Sequence, residues 1–301
     1  MYALTIDHIT KSYGSVEALR GVSVDVAPGE LFGVIGPDGA GKSTLFRILT
    51  TLLVADSGRA TVMGHDVVEG MRYIRRAVGY MPGRFSLYQD LTVEENLQFY
   101  ASVFQTTVEE NYALVAPIYS QIEPFKNRRA GKLSGGMKQK LALSCALIHK
   151  PEVLFLDEPT TGVDPVSRKE FWDMLDALRR QGITIVVSTP YMDEAERCDR
   201  IALIQHGEFL TVNTPPQIVA DYPDQLWAVS ADDKYKLLLA LREFPSVLRS
   251  YAFGATSHVA ADRGGLDPDE LCRYLQSKGL SQVEVKQIEP CIEDCFMQMA
   301  Q

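Results

Sequence analysis

The chain has 301 residues, of which 46% are apolar and 23% are charged, and its formal net charge is −9. That length allows one large domain and a smaller one, and an acidic chain without a basic run is not expected to bind nucleic acid. The sequence contains neither a run of about 18 apolar residues, the length that spans a membrane, nor an N-terminal signal-peptide pattern, so we expect a cytoplasmic protein.

The N-terminal part predicts two strands, at residues 2–9 and 22–26, joined by a turn at Tyr13-Gly14. The apolar run 31–35 predicts a buried strand, and the run 45–49 predicts the beginning of a helix. A glycine-rich segment lies between these two runs. The order strand, turn and helix is the context that a phosphate-binding loop requires.

This segment matches the phosphate-loop pattern G-x-x-x-x-G-K-[ST]. Its residues are Gly36, Pro37, Asp38, Gly39, Ala40, Gly41, Lys42, Ser43 and Thr44. Glycines let successive backbone N–H groups point towards phosphates, which a Cβ atom would obstruct, and the helix N-terminus adds partial positive charge. Lys42 supplies a full charge for the β- and γ-phosphates, and the Ser43 hydroxyl is placed to ligate Mg²⁺.

A mostly helical lobe is predicted from about residue 85 to residue 145. Thr92 and Glu95 form a capping box, which begins a helix that reaches about Val103. A second helix is predicted over residues 109–119. The lobe interrupts the strand pattern on either side of it.

Leu133-Ser134-Gly135-Gly136 begins the last helix of this lobe. Ser134 occupies the cap position, and Gly135 and Gly136 leave backbone N–H groups uncovered, so the helix start is a candidate anion-binding terminus. Position 137 is a methionine, so no capping box competes for the Ser134 hydroxyl. The alternative is a structural helix start, although glycines there are costly unless close approach is needed.

Two carboxylates follow the apolar run 153–156. At the carboxyl end of a strand beside the phosphate loop, Asp157 is placed to hold Mg²⁺, commonly through water. Glu158 is then next to the γ-phosphate, where a carboxylate orients and deprotonates an attacking water. The alternative, a strand that ends in a polar turn, is disfavoured beside a phosphate loop.

The fold class is α/β: a phosphate-loop NTPase-type sheet core with an inserted helical subdomain, followed by a small α+β domain. Residues 1–215 form the nucleotide-binding domain, with the helical subdomain at about 85–145. The break at 214–216 precedes a C-terminal accessory domain, residues 216–301, whose pattern predicts four strands and two helices.

The segments 36–44, 133–137 and 156–159, in this order and spacing, resemble those of the nucleotide-binding subunit of ATP-binding cassette (ABC) transporters. The similarity covers about residues 3–215, and the Leu-Ser-Gly-Gly signature distinguishes this family from other phosphate-loop ATPases. The resemblance implies a Mg²⁺-dependent ATPase that binds ATP. It also implies that Tyr13 stacks on the adenine.

The resemblance further implies a head-to-tail dimer in which Ser134, Gly135 and Gly136 of one subunit close over the ATP held by the other. Residues 161–164 would lie at the dimer contact, and the helical lobe would touch a membrane subunit. The second nucleotide-binding subunit is either an identical chain or a paralogue.

The closing segment Glu289–Phe296 resembles the C-terminal element of ATPases that serve drug, antibiotic or polysaccharide exporters. Because this chain has no membrane segment of its own, we expect a separate integral-membrane permease as its partner. The chain would energise export through that permease from the cytoplasmic face of the membrane.

Two positions depart from the family pattern. Gly83 stands where a glutamine that contacts Mg²⁺ and the γ-phosphate is usual, and Gln89 lies six residues further on in a different context. Pro190 stands where a histidine is usual; we expect it at the first position of a helix that Thr189 caps. Loss of such a contact costs about 10²–10³ in rate, so we expect hydrolysis, but slow hydrolysis.

Two other functions remain open. The first is a degenerate, ATP-switched regulatory or clamp subunit with little hydrolysis, paired with a competent partner cassette. The second is an ABC ATPase that acts on DNA or ribosomes. The single cassette, the absence of a coiled-coil or zinc-binding insertion and the acidic tail disfavour the second.

Overall fold

The computed structural model of the chain describes residues 1–300. The chain forms two compact units, Met1–Pro215 and Pro216–Met299. Each unit has its own sheet structure and its own buried core. Within residues 1–300, no helix combines the length and the apolar character needed to cross a membrane.

Ten strands build the two sheets of the first unit. They are β1 (Leu4–Tyr13), β2 (Val16–Val26), β3 (Leu31–Ile35), β4 (Ser57–Val62), β5 (His65–Asp66), β6 (Val78–Met81), β7 (Val153–Asp157), β8 (Thr184–Thr189), β9 (Arg200–Gln205) and β10 (Glu208–Asn213). The smaller sheet is antiparallel, in the order β2-β1-β4-β5. The larger sheet has the order β10-β9-β3-β8-β7-β6, and its strands are parallel except for β10.

Six α-helices belong to the same unit. They are α1 (Lys42–Leu49), α2 (Met71–Ala77), α3 (Val93–Val103), α4 (Val108–Tyr119), α5 (Gly135–Leu147) and α6 (Pro165–Arg180). Short 3₁₀ helices lie at Glu123–Phe125, Ala130–Lys132 and Met192–Arg197. Helices α3, α4 and α5 form the predicted helical lobe; the predicted capping box of α3 is present, and α4 begins with a second one, of Thr107 and Glu110.

The central parallel strands are buried along their whole length. Every residue of β3, β7 and β8 is buried, as expected for a parallel sheet that is covered on both faces. Phe46 of α1 packs edge-on against Phe155 of β7, with ring centroids 5.9 Å apart. This packing fixes α1, and with it the loop that precedes it, against the sheet.

The structure differs from the sequence-based expectations in three places in this unit. Strands β1 and β2 are longer than predicted, so Tyr13 ends a strand and the turn is formed by Gly14 and Ser15. Helix α2 was not predicted, because its residues follow no clear helical periodicity. The expected helix after β8 is instead the 3₁₀ helix Met192–Arg197, preceded by Tyr191.

The second unit has the element order βαββαβ between two flanking helices. Its elements are α7 (Pro215–Ala220), β11 (Gln225–Ser230), α8 (Lys234–Glu243), β12 (Arg249–Phe253), β13 (Thr256–Ala261), α9 (Pro268–Ser277), β14 (Glu284–Ile288) and α10 (Ile292–Met299). The antiparallel sheet has the order β12-β13-β11-β14, which is the ferredoxin-like arrangement. The four strands and the helices α9 and α10 were predicted, whereas α7 and α8 were not.

Candidate nucleotide-binding site

The loop between β3 and α1 needs its glycines for two different reasons. A Cβ atom on Gly36 would lie 2.1 Å from the Ile204 carbonyl oxygen, and one on Gly41 would lie 2.4 Å from the Ala18 carbonyl oxygen. Gly39 faces open space but has a φ of +80°, which L-residues rarely adopt. The close packing of this loop therefore positions the N-terminus of α1 at the cavity described below.

Lys42 is the first residue of α1 and is only 3% exposed. Its ammonium donates to the carbonyl oxygens of Gly36 at 2.8 Å and Pro37 at 3.0 Å. The same Nζ lies 3.1 Å from Oε1 of Glu158. A buried lysine charge is thus held directly below the glycine-rich loop, facing one of the two predicted carboxylates.

Asp157 ends β7, and Glu158 follows it with a φ of 51°, an uncommon value for a residue other than glycine. Strand β8 lies between β3 and β7, so the carboxylates are two strands from the phosphate-loop strand rather than on its immediate neighbour. Ser188 of β8 is fully buried between them. Its hydroxyl donates to Oδ1 of Asp157 at 2.6 Å and accepts from the Glu158 N–H at 3.0 Å.

Ser188 is a site residue that sequence reasoning missed. The available signal was a hydroxyl at the carboxyl end of an otherwise apolar buried strand, next to the strand that carries Asp157 and Glu158. Strand neighbours, however, cannot be read from the sequence of a parallel sheet. Burial, with a smaller contribution from Asp157, raises the pKa of the nearby Tyr80 to about 12. The Tyr80 hydroxyl is therefore neutral and adds no negative charge to that of the two carboxylates.

A cavity of about 220 Å³ opens above Lys42. Its lining consists of Tyr13, Ala18, Gly39, Gly41, Lys42, Ser43, Thr44 and Glu158. The structure therefore brings together Tyr13, the phosphate loop and Glu158, which lie far apart in the sequence. Tyr13 is 47% exposed, so its ring is accessible to a planar ligand.

Ser134 caps α5 as predicted, because its hydroxyl accepts from the Met137 N–H. Among the described residues, the lining of the Lys42 cavity does not include Ser134, Gly135 or Gly136. A Cβ atom on Gly136 would lie 2.8 Å from the Ser167 hydroxyl, so this glycine already has a packing requirement within its own chain. The signature residues and the phosphate loop thus occupy separate places in one chain.

Gly83 lies close to the two carboxylates, since a Cβ atom on it would be 3.0 Å from the Asp157 carbonyl oxygen. Gln89 instead accepts a hydrogen bond from the Gly131 N–H through its backbone oxygen.

The expected helix cap by Thr189 is wrong. Its hydroxyl donates to Glu194 and accepts from the Tyr191 N–H, because Thr189 is the last residue of β8 and Pro190 lies in the turn after it.

The residues of this site fit a Mg²⁺ ion that is held together with phosphates. The Ser43 hydroxyl and the Asp157 carboxylate are oxygen donors, which Mg²⁺ prefers, and it commonly takes only one or two protein ligands beside phosphates and water. Within residues 1–300 no group of three or more His, Cys, Asp or Glu residues is placed to hold a metal without such a substrate. Oδ1 of Asp157 accepts the hydrogen bond from Ser188, which orients this carboxylate.

Known proteins with similar sequences are ATP-binding transporter subunits. The family model described as ABC transporter matches residues 19–161. The probable multidrug ABC transporter ATP-binding protein YbhF of Escherichia coli (strain K12) is 36% identical over 302 residues, which cover 98% of this chain and 52% of that protein. The Nod factor export ATP-binding protein I of Rhizobium sp. (strain N33) is 34% identical over 301 residues, 99% of this chain and 96% of that protein. The chain belongs to the ABC transporter family.

This ABC cassette spans about half the length of YbhF but nearly the whole length of the Rhizobium relative. Among solved structures, CbiO1 of Clostridium perfringens, part of the ABC transporter complex CbiONQ, has a TM-score of 0.66 at 27% identity and covers 73% of this chain and 91% of that one. The cassette MJ0796, a dimer in a post-hydrolysis state with ADP and Pi, has a TM-score of 0.64 at 26% identity, covering 70% and 98%. The predicted α/β class with a phosphate-loop NTPase core is confirmed.

Proposed function

We propose that this cassette binds ATP with Mg²⁺ and hydrolyses it to drive export through a separate permease. The observation that carries the proposal is the convergence, around one cavity, of the buried Lys42 ammonium, the Glu158 carboxylate and the glycine-rich loop. An ammonium beneath uncovered backbone N–H groups suits a polyphosphate. The accessible ring of Tyr13 at the same cavity suits a nucleobase.

Each residue of the site has a role in this proposal. Lys42 pairs with the β- and γ-phosphates, and the uncovered backbone N–H groups at the start of α1 donate to them. Ser43 and Asp157 would hold Mg²⁺, which would neutralise part of the phosphate charge. Tyr13 stacks on the adenine.

Glu158 is the proposed general base. It accepts a proton from the attacking water while the water oxygen bonds to the γ-phosphorus. The bond from that phosphorus to the β–γ bridging oxygen breaks, and ADP leaves with the electron pair on that oxygen. The Ser188 hydroxyl holds the Glu158 backbone N–H, while the Thr161 hydroxyl at 3.4 Å from Oε2 and the Lys42 ammonium at 3.1 Å from Oε1 orient the side chain.

Ser134, Gly135 and Gly136 would complete the site of a second subunit in a head-to-tail dimer. Their position outside the Lys42 cavity of their own chain supports this arrangement, as does the dimeric state of the MJ0796 cassette. The second subunit is an identical chain or a paralogue.

An apolar groove between the helical lobe and the sheet is the proposed docking surface for the permease. Its volume is about 370 Å³, and the lining includes Tyr80, Phe85, Leu87, Tyr100 and Phe104. Aromatic residues of this kind are enriched at protein interfaces. The names of the relatives, which refer to multidrug and Nod factor export, support an export permease at the cytoplasmic face of the membrane.

A second candidate function is an ATP-switched clamp with little hydrolysis, paired with a competent cassette. Gly83 and Pro190 favour it, because neither supplies a polar side chain to the γ-phosphate. The two candidates differ in the turnover of the isolated chain, and in whether an added partner cassette raises that turnover.

The test is phosphate release by the purified chain with Mg²⁺ and ATP. We expect Glu158→Gln to retain ATP binding, to trap an ATP-bound dimer and to lower kcat at least about 10²-fold, whereas Lys42→Ala weakens ATP binding. Glu109→Gln, an exposed carboxylate of α4, is the matched control. Unchanged phosphate release by Glu158→Gln would refute the general-base role, and absent ATP binding by the wild type would refute the whole proposal.

A further inference from the structure

Glu194 is a buried carboxylate for which the proposed chemistry has no role so far. It lies in the 3₁₀ helix Met192–Arg197 and is only 3% exposed. Its Oε1 accepts from the Thr160 hydroxyl at 2.8 Å and from Nε of Arg168 at 3.1 Å. Its Oε2 accepts from the Thr189 hydroxyl at 2.5 Å.

The two threonines lie at the carboxyl ends of neighbouring strands: Thr160 is in the segment after β7, and Thr189 is the last residue of β8. Thr160 comes two residues after Glu158 and directly before the segment 161–164. Thr189 directly follows Ser188, which bonds Asp157, and directly precedes Pro190. The Glu194 carboxylate therefore links the segment that follows Glu158, the proposed general base, to the residue that follows Ser188.

Arg168 connects this pair of segments to α6. Its guanidinium bonds Glu194 and also stacks on the Tyr191 ring, 4.2 Å from the centroid. Both threonines are at most 1% exposed, so their hydroxyls have no access to water if the carboxylate is removed. A buried hydroxyl that loses its acceptor is destabilising, so these bonds hold the three elements in one arrangement.

We propose that Glu194 is a positioning residue for ATP hydrolysis: it fixes the segment 160–164 and the turn 189–191 relative to Glu158. The inference rests on the proposed function, because it assumes that Glu158 acts on ATP. Glu194 is not needed merely to hold the 3₁₀ helix against α6, because Arg197 of that helix already forms an ion pair with Asp173 of α6. The distinct contribution of Glu194 is its pair of hydrogen bonds to Thr160 and Thr189, one in each of the two segments next to the proposed site.

Glu194→Gln is the first test variant, because it keeps the shape but removes the charge and one acceptor oxygen. Asp173→Asn is the matched control, since it breaks an ion pair between the same elements without touching Thr160 or Thr189. Hydrogen exchange of the full-length chain reports on the segments directly, without any turnover. We expect exchange at residues 158–166 and 188–196 to become about tenfold faster in Glu194→Gln and to stay unchanged in Asp173→Asn.

The second measurement separates kcat from the affinity for ATP. We expect Glu194→Gln to lower kcat by about 10-fold to 100-fold, because small misplacements of catalytic groups have effects of that size, and to change the dissociation constant of ATP less than about twofold. Thr160→Val, which keeps the shape and deletes one bond, provides the same comparison should Glu194→Gln fail to fold. Its expected decrease in kcat is smaller and in the same direction.

The outcomes distinguish this inference from the proposed function. Wild-type exchange rates in both segments of Glu194→Gln, or a kcat equal to that of Asp173→Asn, would overturn the positioning role. If the wild-type chain hydrolysed no ATP, the proposed function would fail while the exchange data still decided whether Glu194 holds the two segments. Faster exchange in both segments together with a lower kcat and unchanged ATP affinity is the supporting result.

Discussion

Pro190 and Gly83 are the two residues that depart from the family pattern. Pro190 lies between Thr189, the last residue of β8, and Tyr191, and it has neither a donor nor a titratable group. Gly83 has no side chain, and a Cβ atom there would lie 3.0 Å from the Asp157 carbonyl oxygen. A side chain at position 83 therefore makes a tight contact with the Asp157 backbone, whereas a change at position 190 alters a half-buried turn residue.

The variant Pro190→His tests whether the missing histidine contact slows hydrolysis. We expect it to raise kcat by about 10-fold to 100-fold, because one polar contact to a developing charge has an effect of about that size or more. The measurement is phosphate release at saturating ATP. Pro190→Ala is the matched control, since it removes the ring and restores the N–H without adding an imidazole. Equal kcat values for the two variants would show that the imidazole makes no contact with the reacting phosphate.

Helix α10 shows how one element depends on a buried polar group. Asp294 is 1% exposed and accepts three hydrogen bonds, from the Tyr251 hydroxyl, from Nδ1 of His258 and from the Cys291 N–H. Burial alone raises the pKa of Asp294, but these hydrogen bonds together outweigh it and hold the pKa below its ordinary value of 3.8. The charged form is therefore the form that the folded unit favours.

The variant Asp294→Asn, combined with the pH dependence of stability, tests whether the charged Asp294 stabilises the second unit. Because the pKa is lower in the folded state, the stabilisation is complete above pH 3.8 and is lost as the pH falls through the folded-state pKa. We expect Asp294→Asn to lower the free energy of unfolding of the second unit by about 2 kcal/mol at pH 7 and to remove part of the loss in acid.

The two tryptophans allow this measurement on one unit. Trp227 belongs to the second unit and Trp172 to the first, so in a Trp172→Phe background the fluorescence reports on the second unit alone. Glu289→Gln, an exposed carboxylate just before α10, is the control and should behave as wild type. An acid profile of Asp294→Asn that matched the wild-type profile would contradict the assignment.

The whole molecule, in the proposed function, forms two composite sites in a symmetric dimer. Each site would take Lys42 and Glu158 from one chain and Ser134 from the other. In a single chain, Ser134 is exposed at the start of α5 and does not line the Lys42 cavity. A two-fold axis that relates two chains gives each cavity the partner's helix start.

Mixing variants tests the composite site. Lys42→Ala and Ser134→Arg should each be inactive alone, yet an equal mixture should recover up to about a quarter of the wild-type kcat. The reason is that random pairing makes half of the dimers mixed, and one of the two sites in each mixed dimer is intact. A mixture of Lys42→Ala with Glu158→Gln leaves no intact site and is the control. Equal recovery in both mixtures, or none in the first, would contradict a head-to-tail dimer of identical chains.

Much of the fold followed from local patterns in the sequence. The continuous apolar runs predicted β3 and β7, and the capping box of Thr92 and Glu95 predicted the beginning of α3. The glycine-rich loop was recognised because its strand, turn and helix are contiguous. Such signals are reliable because caps, turns and helical periods depend on residues only a few positions apart.

The remaining parts depend on partners that are distant in the chain. Ser188 bonds Asp157 across 31 positions, and Glu194 bonds Thr160 across 34. Those pairs exist only because the parallel sheet has the order β3-β8-β7, and its crossover connections, not the local sequence, set that order. The sequence alone therefore determined that this chain has a phosphate loop followed by two carboxylates. The tertiary structure decided which buried side chains hold those groups in place, because only folding brings the strand ends together.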